Sequence, residues 1–443
     1  MKGQGAPRSQ VMELYLHVAE LLGCSSDRDV AALADVSVEN VANWRTGTVR
    51  EFKGQTLKAV KDGLTARLGA LRREIEALEA GFDHGLIPLE IEEGSGPDAL
   101  QRQFADRVTY DYLGHRFLYF DPHGALAWES LIKSGYEQAA WLHAVQTCLD
   151  GWLDPGGKGP IGLALGLGRK TSPKGLDVVS LGPGEGSKEV ILARHLARIE
   201  EASRSCLAWV VIGLVDVSIP LLVKAAKGVR AALRAGPAAG SRTVMPFCAD
   251  FEAGKMGFIE RLPTVQRPEP VGLRLVLILG NVLGNLRDED AFVRERLSPL
   301  LRAGDMAWLE VGLRLEKIED DPLFPMTQPE HEETAAVTNR RLLLEGPYRR
   351  WLVATGRRVP DLETRVWLRQ GDDSCRVPGS INFCHDLVIK EERRACTMLY
   401  SRRYDLQGLS GWLAARGLDV ERVERAGDSA QRQRVAHLLL RRR

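Results

Sequence analysis

The chain has 443 residues, 44% of them apolar and 27% charged, with a formal net charge of +1. That length and apolar content allow a full core divided among two or three domains, and the balanced charge excludes a global field that attracts nucleic acid or membrane. Seven cysteines, Cys24, Cys148, Cys206, Cys248, Cys375, Cys384 and Cys396, are scattered without a Cys-x-x-Cys pair. This argues against a zinc ribbon and a disulfide framework, so no metal is expected and a reducing, cytoplasmic setting is. The N-terminus lacks a cationic stretch leading into an apolar core, and the apolar runs around 206–217 and 273–280 are too short to span a bilayer. A soluble chain with no membrane partner is expected.

Residues from about Ser9 to Gly81 read as helical, with Val11, Leu14, Leu16, Val18, Leu21 and Leu22 on one face. Within them, Ser26 or Asp27 can cap one short helix, Ser37 the next, and Gly47 can end the second. Two short helices joined by a tight turn form a helix-turn-helix, and Ala31 to Gly47 resembles the Cro/repressor type over some fifty residues. Arg45, Arg50, Lys53, Lys58 and Lys61 gather around and after the second helix against one acid, Glu51. DNA contact through residues 26–61, led by Arg45 and Arg50, stands beside protein docking by the same fold, because the region up to Glu79 is nearly neutral. Leu64, Leu68, Leu71, Ile75 and Leu78 recur at helical spacing, which suits packing on their own domain or a homodimer contact. Gly94 to Pro97 reads as a loop.

The stretch Asp106–Trp152 carries Tyr110, Tyr112, Phe117, Tyr119, Phe120, Trp128, Tyr136, Trp141 and Trp152. Most of these are expected in helical core, and a few as walls of a substrate pocket. Gly166 to Thr171 falls short of a phosphate loop, lacking its spacing and its preceding strand. The segment Asp177-Val-Val-Ser-Leu-Gly-Pro-Gly-Glu-Gly-Ser-Lys188 is different, because an apolar strand runs into a glycine-rich turn and then a helical pattern. Gly182, Gly184 and Gly186 let the backbone turn tightly against a ligand, and a helix starting near Ser187 offers it free N–H groups. A second apolar strand, Trp209–Val215, ends in Asp216, placed to hold a ribose. Strands are expected at Leu176–Leu181, Ala208–Val217, Thr243–Cys248, Leu273–Leu279 and Met306–Gly312, alternating with helices, as in a parallel α/β sheet covered on both faces. Then come a helical stretch, His331–Thr355, a paired-strand region ending at Thr397–Tyr404, a helix at Leu406–Arg416 and a closing strand at Val435–Leu440.

This constellation resembles the class I S-adenosylmethionine-dependent methyltransferases, and more narrowly the histidine-specific Nα-methyltransferases of ergothioneine biosynthesis, over about residues 105–443. Four motifs carry it: Leu181-Gly-Pro-Gly-Glu-Gly-Ser-Lys188, Asp216-Val-Ser218, Ala249-Asp-Phe-Glu252, and Leu279-Gly-Asn-Val-Leu-Gly-Asn-Leu286, the last followed by the turn Leu301 to Asp305. The N-terminal all-α helix-turn-helix domain is a departure from that family. The resemblance implies an α/β fold, a class I Rossmann-like sheet with an inserted α+β substrate region. It also implies S-adenosyl-L-methionine as cofactor, held by Gly182, Gly184, Glu185, Gly186, Lys188, Asp216, Asp250, Phe251 and Gly280. Lys188 would reach the methionine carboxylate, Asp216 the ribose hydroxyls and Asp250 the adenine amino group, with Phe251 on the ring. Asn285 is the residue expected to hold the acceptor's amine, set against a plain helix-capping role near Asp288. Ser401 and Tyr110 are the further substrate candidates, Tyr112 being an equally loose counterpart to the family's tyrosine clamp. No residue is assigned a covalent or acid–base catalytic role, since alignment carries methyl transfer to a neutral amine. The family's imidazole-gripping Glu-x-Ser reads Leu399-Tyr-Ser401 here, so histidine is a doubtful acceptor.

The expected domains are a helix-turn-helix-like region at 1–83, an aromatic-rich linker and pocket region at 84–175, a cofactor core at 176–317, an inserted substrate region at 318–392 and a completion of the sheet at 393–443. The expected activity is N-methylation of an amino acid or related small molecule. Its rivals are a DNA-binding regulator that senses the cofactor, and a protein or tRNA methyltransferase docking through the basic end from Arg432 to Arg443.

Overall fold

A computed structural model of the chain describes residues 16, 26–34, 36–46, 48–49, 54–56, 58–63, 88–133, 139–168, 174–203, 207–234, 241–262, 272–328, 334–370, 375–427 and 433–443. The chain forms two compact units, Met1–Ile87 and Pro88–Arg443. In the first, α1 (Asp27–Ala34) and α2 (Val38–Thr46) are separated by three residues in sequence and bury Val30, Val41 and Trp44. Arg45 Nε donates to Asp27 Oδ1 at 2.5 Å, which ties the end of α2 to the start of α1. Arg50, Lys53, Gly47 and the 64–78 stripe lie outside the described residues.

The second unit begins with a two-residue strand, β1 (Glu90–Ile91), followed by α3 (Pro97–Arg107), α4 (Arg116–Tyr119), α5 (Pro122–Leu131), α6 (Ala139–Trp152) and α7 (Pro160–Leu165). Gly166 ends α7 in the left-handed conformation, so this near-phosphate loop is a helix stop. Then strands and helices alternate: β2 (Gly175–Leu181), α8 (Ser187–Ser203), β3 (Trp209–Asp216), α9 (Ile219–Arg234), β4 (Ser241–Cys248), β5 (Gly272–Ile278), α10 (Val282–Asn285), α11 (Glu289–Phe292) and β6 (Met306–Gly312). Every residue of β2, β3 and β6 is buried, as expected for parallel strands covered on both faces.

The remaining elements are α12 (Ala335–Ala354), β7 (Leu362–Gln370), β8 (Ile381–Ile389), β9 (Arg394–Arg403), α13 (Leu406–Ala414), β10 (Leu418–Gly427) and β11 (Gln433–Arg442). The main sheet has the order β1-β4-β3-β2-β5-β6-β11-β10. Its first six strands are parallel, whereas β11 runs antiparallel to β6 and β10 antiparallel to β11. From β2 the chain winds outward through β3 and β4, and from β5 it winds the other way through β6. The turns that leave β2 and β5 therefore diverge and open a crevice at the carboxyl ends of the strands, where open α/β sheets bind ligands. The strand β10 was missed in the sequence because its charged residues mask the alternation, as suits a sheet edge.

A second, antiparallel sheet has the order β7-β8-β9. Residues 111–113 join its edge: Leu113 N–H donates to Thr397 O at 3.1 Å and Thr397 N–H to Asp111 O at 2.8 Å. Apolar residues of α3, α4, α12 and β8–β9, among them Leu100, Phe117, Leu343, Leu387 and Leu399, form one core cluster. No helix of the described residues is long and apolar enough to cross a membrane, and none of their His, Cys, Asp or Glu side chains form a group that could hold a metal.

Candidate active site

The turn after β2 takes backbone angles that glycine alone adopts freely: φ is 69° at Gly182, 56° at Gly184 and 82° at Gly186. A Cβ on Gly186 would lie 2.7 Å from the Ala225 backbone, so this glycine is what lets α9 pack against the turn. A Cβ on Gly182 would meet Val282 at 3.2 Å, and one on Gly184 would meet the Trp128 indole at 3.3 Å. The cleft is thus narrow in the middle, floored by glycine backbone and walled by side chains from three parts of the chain. It encloses about 900 Å³, solvent side included.

Gly182, Gly184, Glu185, Lys188, Asp216, Asp250, Phe251, Gly280 and Asn285 line this one cleft. Asp216 sits at the end of β3, accepting from Ser218 N–H at 2.9 Å and, at 3.4 Å, from Gly184 N–H. Burial pushes its carboxyl up to about 6 despite these donors. Asp250 follows β4, and its Oδ1 accepts from the N–H groups of Glu252 and Ala253 at 3.0 and 3.1 Å. Its other oxygen pairs with the Arg116 guanidinium, brought in by α4 and about as buried.

Two expected ligand contacts are occupied by protein groups. Lys188 Nζ donates to Glu310 Oε1 on β6 at 3.0 Å, both side chains being buried. Burial opposes the charge on Glu310, but Lys188 holds its carboxyl below the ordinary value. Lys188 therefore braces the cradle against β6 beside Gly280, whose φ is 77°. Glu185 accepts from Ser187 Oγ at 2.5 Å and from Lys224 Nζ at 2.9 Å, and Lys224 also donates to Glu129 at 3.1 Å, linking the glycine turn to α5 and α9. Burial opposes the charge on Glu185, yet the Ser187 hydroxyl and Lys224 leave its carboxyl below the usual range.

Asn285 ends α10 and faces the cleft, partly buried. It is not a helix cap, because Asp288 itself caps α11, accepting from Asp290 N–H at 3.0 Å and Ala291 N–H at 2.9 Å. Asn281, in the left-handed region at φ 60°, shapes the turn from inside: its Oδ1 accepts from Gly312 N–H at 2.9 Å and its Nδ2 lies 3.5 Å from Asn285 Oδ1. Arg402 on β9, fully buried, pairs with Glu289 at 3.2 Å and donates to the carbonyls of Leu286 and, at 2.9 Å, Arg287. The second sheet thereby fixes the loop that carries Asn285.

Two substrate candidates lie elsewhere. Ser401 is buried on β9, its hydroxyl 3.1 Å from His385 Nε2 on β8. Leu399 lies on the same face, in the apolar cluster under α12. Neither lines the cleft. An irregularity in the β8–β9 register between His385 and Asp386, which leaves Met398 unpaired, helps set which side chains of β9 face which way, and Tyr400 and Arg402 are the ones turned toward the Asn285 loop. Tyr110 is 56% exposed and also lies outside the cleft lining. Tyr112 stacks on Tyr400, the ring centroids 5.3 Å apart, and the Arg287 guanidinium lies over the Tyr112 ring at 5.1 Å.

The sequence reading missed His115, Arg116 and Asn281. Of the aromatic run, Tyr119 and Trp128 do wall the cleft, whereas Phe117 and Phe120 are core. A basic pair inside that apolar run, His115-Arg116, was the available signal.

No protein-family model matches the chain, and neither does any curated protein. Among solved structures the fold is similar to the CcbJ methyltransferase from Streptomyces caelestis, with 14% identity, 65% of this chain and 96% of that chain covered, and a TM-score of 0.29. It is similar to the glycopeptide N-methyltransferase MtfA complexed with S-adenosyl-L-homocysteine, with 12% identity, 62% and 84% covered and a TM-score of 0.28. It is also similar to the magnesium protoporphyrin IX methyltransferase ChlM from Synechocystis PCC 6803, with 13% identity, 73% and 96% covered and a TM-score of 0.32.

Proposed function

We propose that this chain is an S-adenosylmethionine-dependent N-methyltransferase acting on the amine of an amino acid or a related small molecule. The observation that carries the reading is the convergence, at the switch point of the sheet, of Gly182 and Gly184 of the glycine turn with two aspartates from successive strand ends in a single cleft, Gly186 lying outside the lining. The donor set fits the cofactor. Asp216 offers a carboxylate where a ribose diol would lie, Phe251 a flat apolar surface, and the glycine turn the backbone approach that a Cβ would block. When bound, the cofactor supplies a methyl group already activated on a sulfonium. The protein's part is alignment and exclusion of water: Asn285 orients the acceptor nitrogen, and Trp128 and Tyr119 roof the cleft.

Histidine is disfavoured as acceptor, because the residues matching the family's imidazole grip, Leu399 and Ser401, are packed away from the cleft. For residues 26–61 we propose docking to DNA or a partner protein. Arg45 is committed to Asp27, which favours the partner. A gel shift of the full chain on duplex DNA that weakens steeply with salt would favour DNA instead.

The activity test is incubation of the full-length protein with methyl-labelled S-adenosylmethionine and a small-molecule extract, read by mass spectrometry. Label in an N-methylated amine is expected. No labelled amine from that extract with cofactor bound, or label appearing only when protein or tRNA is added in its place, contradicts the reading.

A further inference from the structure

Two polar atoms buried beside the cleft have no hydrogen-bond partner among the described residues: the Tyr112 hydroxyl and His115 Nδ1. His115 Nδ1 adjoins Glu252, which follows the Asp250-Phe251 pair. One Glu252 oxygen accepts from Arg287 N–H at 2.6 Å, two residues from Asn285, and the other lies 3.7 Å from His115 Nδ1. His115 itself walls the cleft together with Asn285, its side chain 12% exposed. Glu252 thus spans the Asn285 loop and the histidine.

We propose that His115, oriented by Glu252, is the base that takes the proton from the acceptor's ammonium group, so that the site accepts primary or secondary amines in their charged form. This rests on the N-methyl-transfer reading above. An amine is mostly protonated at neutral pH, and its nitrogen has no lone pair to offer until that proton leaves. A carboxylate beside Nδ1 fixes the proton there and leaves the lone pair on Nε2. The separation of 3.7 Å exceeds hydrogen-bond length, as catalytic contacts often do before substrate binds. The ammonium N–H bond breaks and its proton joins Nε2; the freed pair then forms the N–C bond as the methyl's bond to sulfur breaks. Tyr112 is unsuited to this role. Burial first, and then the Glu252 charge, push its hydroxyl well above the ordinary value, so it serves as a donor.

The glutamate can be changed without losing its structural contact. In Glu252→Gln the amide oxygen still accepts from Arg287 N–H, while the NH₂ turns toward His115 and makes Nδ1 an acceptor. In the full-length chain with ¹⁵N-labelled histidine rings, assigned by loss of a signal in His115→Gln, nitrogen shifts read the tautomer directly. Wild type is expected to carry the proton on Nδ1, and Glu252→Gln to carry it on Nε2. A wild-type proton on Nε2, or the same tautomer in both, overturns the proposal. His115→Gln should also slow single-turnover methyl transfer to the labelled amine by roughly 100-fold or more. S-adenosylhomocysteine calorimetry separates the two claims. No binding to wild type defeats the methyltransferase reading, whereas binding together with undiminished transfer by His115→Gln defeats only the base.

Discussion

Asp216 shows what burying an acid costs. Its folded value of about 6 lies above the ordinary 3.8, so between those pH values the folded chain binds more protons than the unfolded one. The free protein should therefore lose stability as pH rises through that window, by about 3 kcal/mol in total, with the cost fully present above 6. A ribose diol needs the ionised carboxylate. The rise in Tm on adding S-adenosylhomocysteine should accordingly shrink as pH falls through about 6 and be small at every pH in Asp216→Asn; a rise that does not change with pH would contradict this assignment. Leu399 makes the opposite case. Restoring the family's acid there would place a charge inside an apolar cluster where Leu399 is 7% exposed. Leu399→Glu should then lower stability in urea by about 3 kcal/mol or more rather than improve the use of histidine.

At the scale of elements, the site depends on contacts between pieces far apart in sequence. Gly186→Ala combines a left-handed backbone with a Cβ 2.7 Å from the Ala225 backbone. Urea denaturation should show a loss of about 2 kcal/mol or more, with cofactor affinity falling because α9 must shift. Arg116 ties α4 to the loop after β4 through its buried pair with Asp250. Arg116→Met leaves that carboxylate uncompensated and should cost about 3–5 kcal/mol, with Arg116→Lys recovering part of it. Equal stability of the two variants would mean that the pair does not hold the loop. These contacts mark the limit of what the sequence discloses. The central strands and the glycine turn were legible because unbroken apolar runs and φ > 0 positions leave local signatures. Arg116, 134 residues from Asp250, leaves none. Nor does the irregularity near Met398, since register is a property of the paired strands.

At the scale of the whole molecule, reversal of strand order between β2 and β5 places the cleft, and the second sheet then anchors the Asn285 loop through Arg402. The aromatic helices α4 and α5 supply the roof, and the residue that precedes α4 is the histidine. The methyl transfer and the base proposed for the chain both depend on that cleft taking S-adenosylmethionine. The most direct measurement is calorimetric titration of S-adenosylhomocysteine into the full-length wild-type protein and into Asp216→Ala. The account predicts one-site binding to wild type and a weakening of roughly 1–3 kcal/mol in the variant, with the fold intact by circular dichroism. No binding to the folded wild-type protein, or equal affinity in the two, would contradict it.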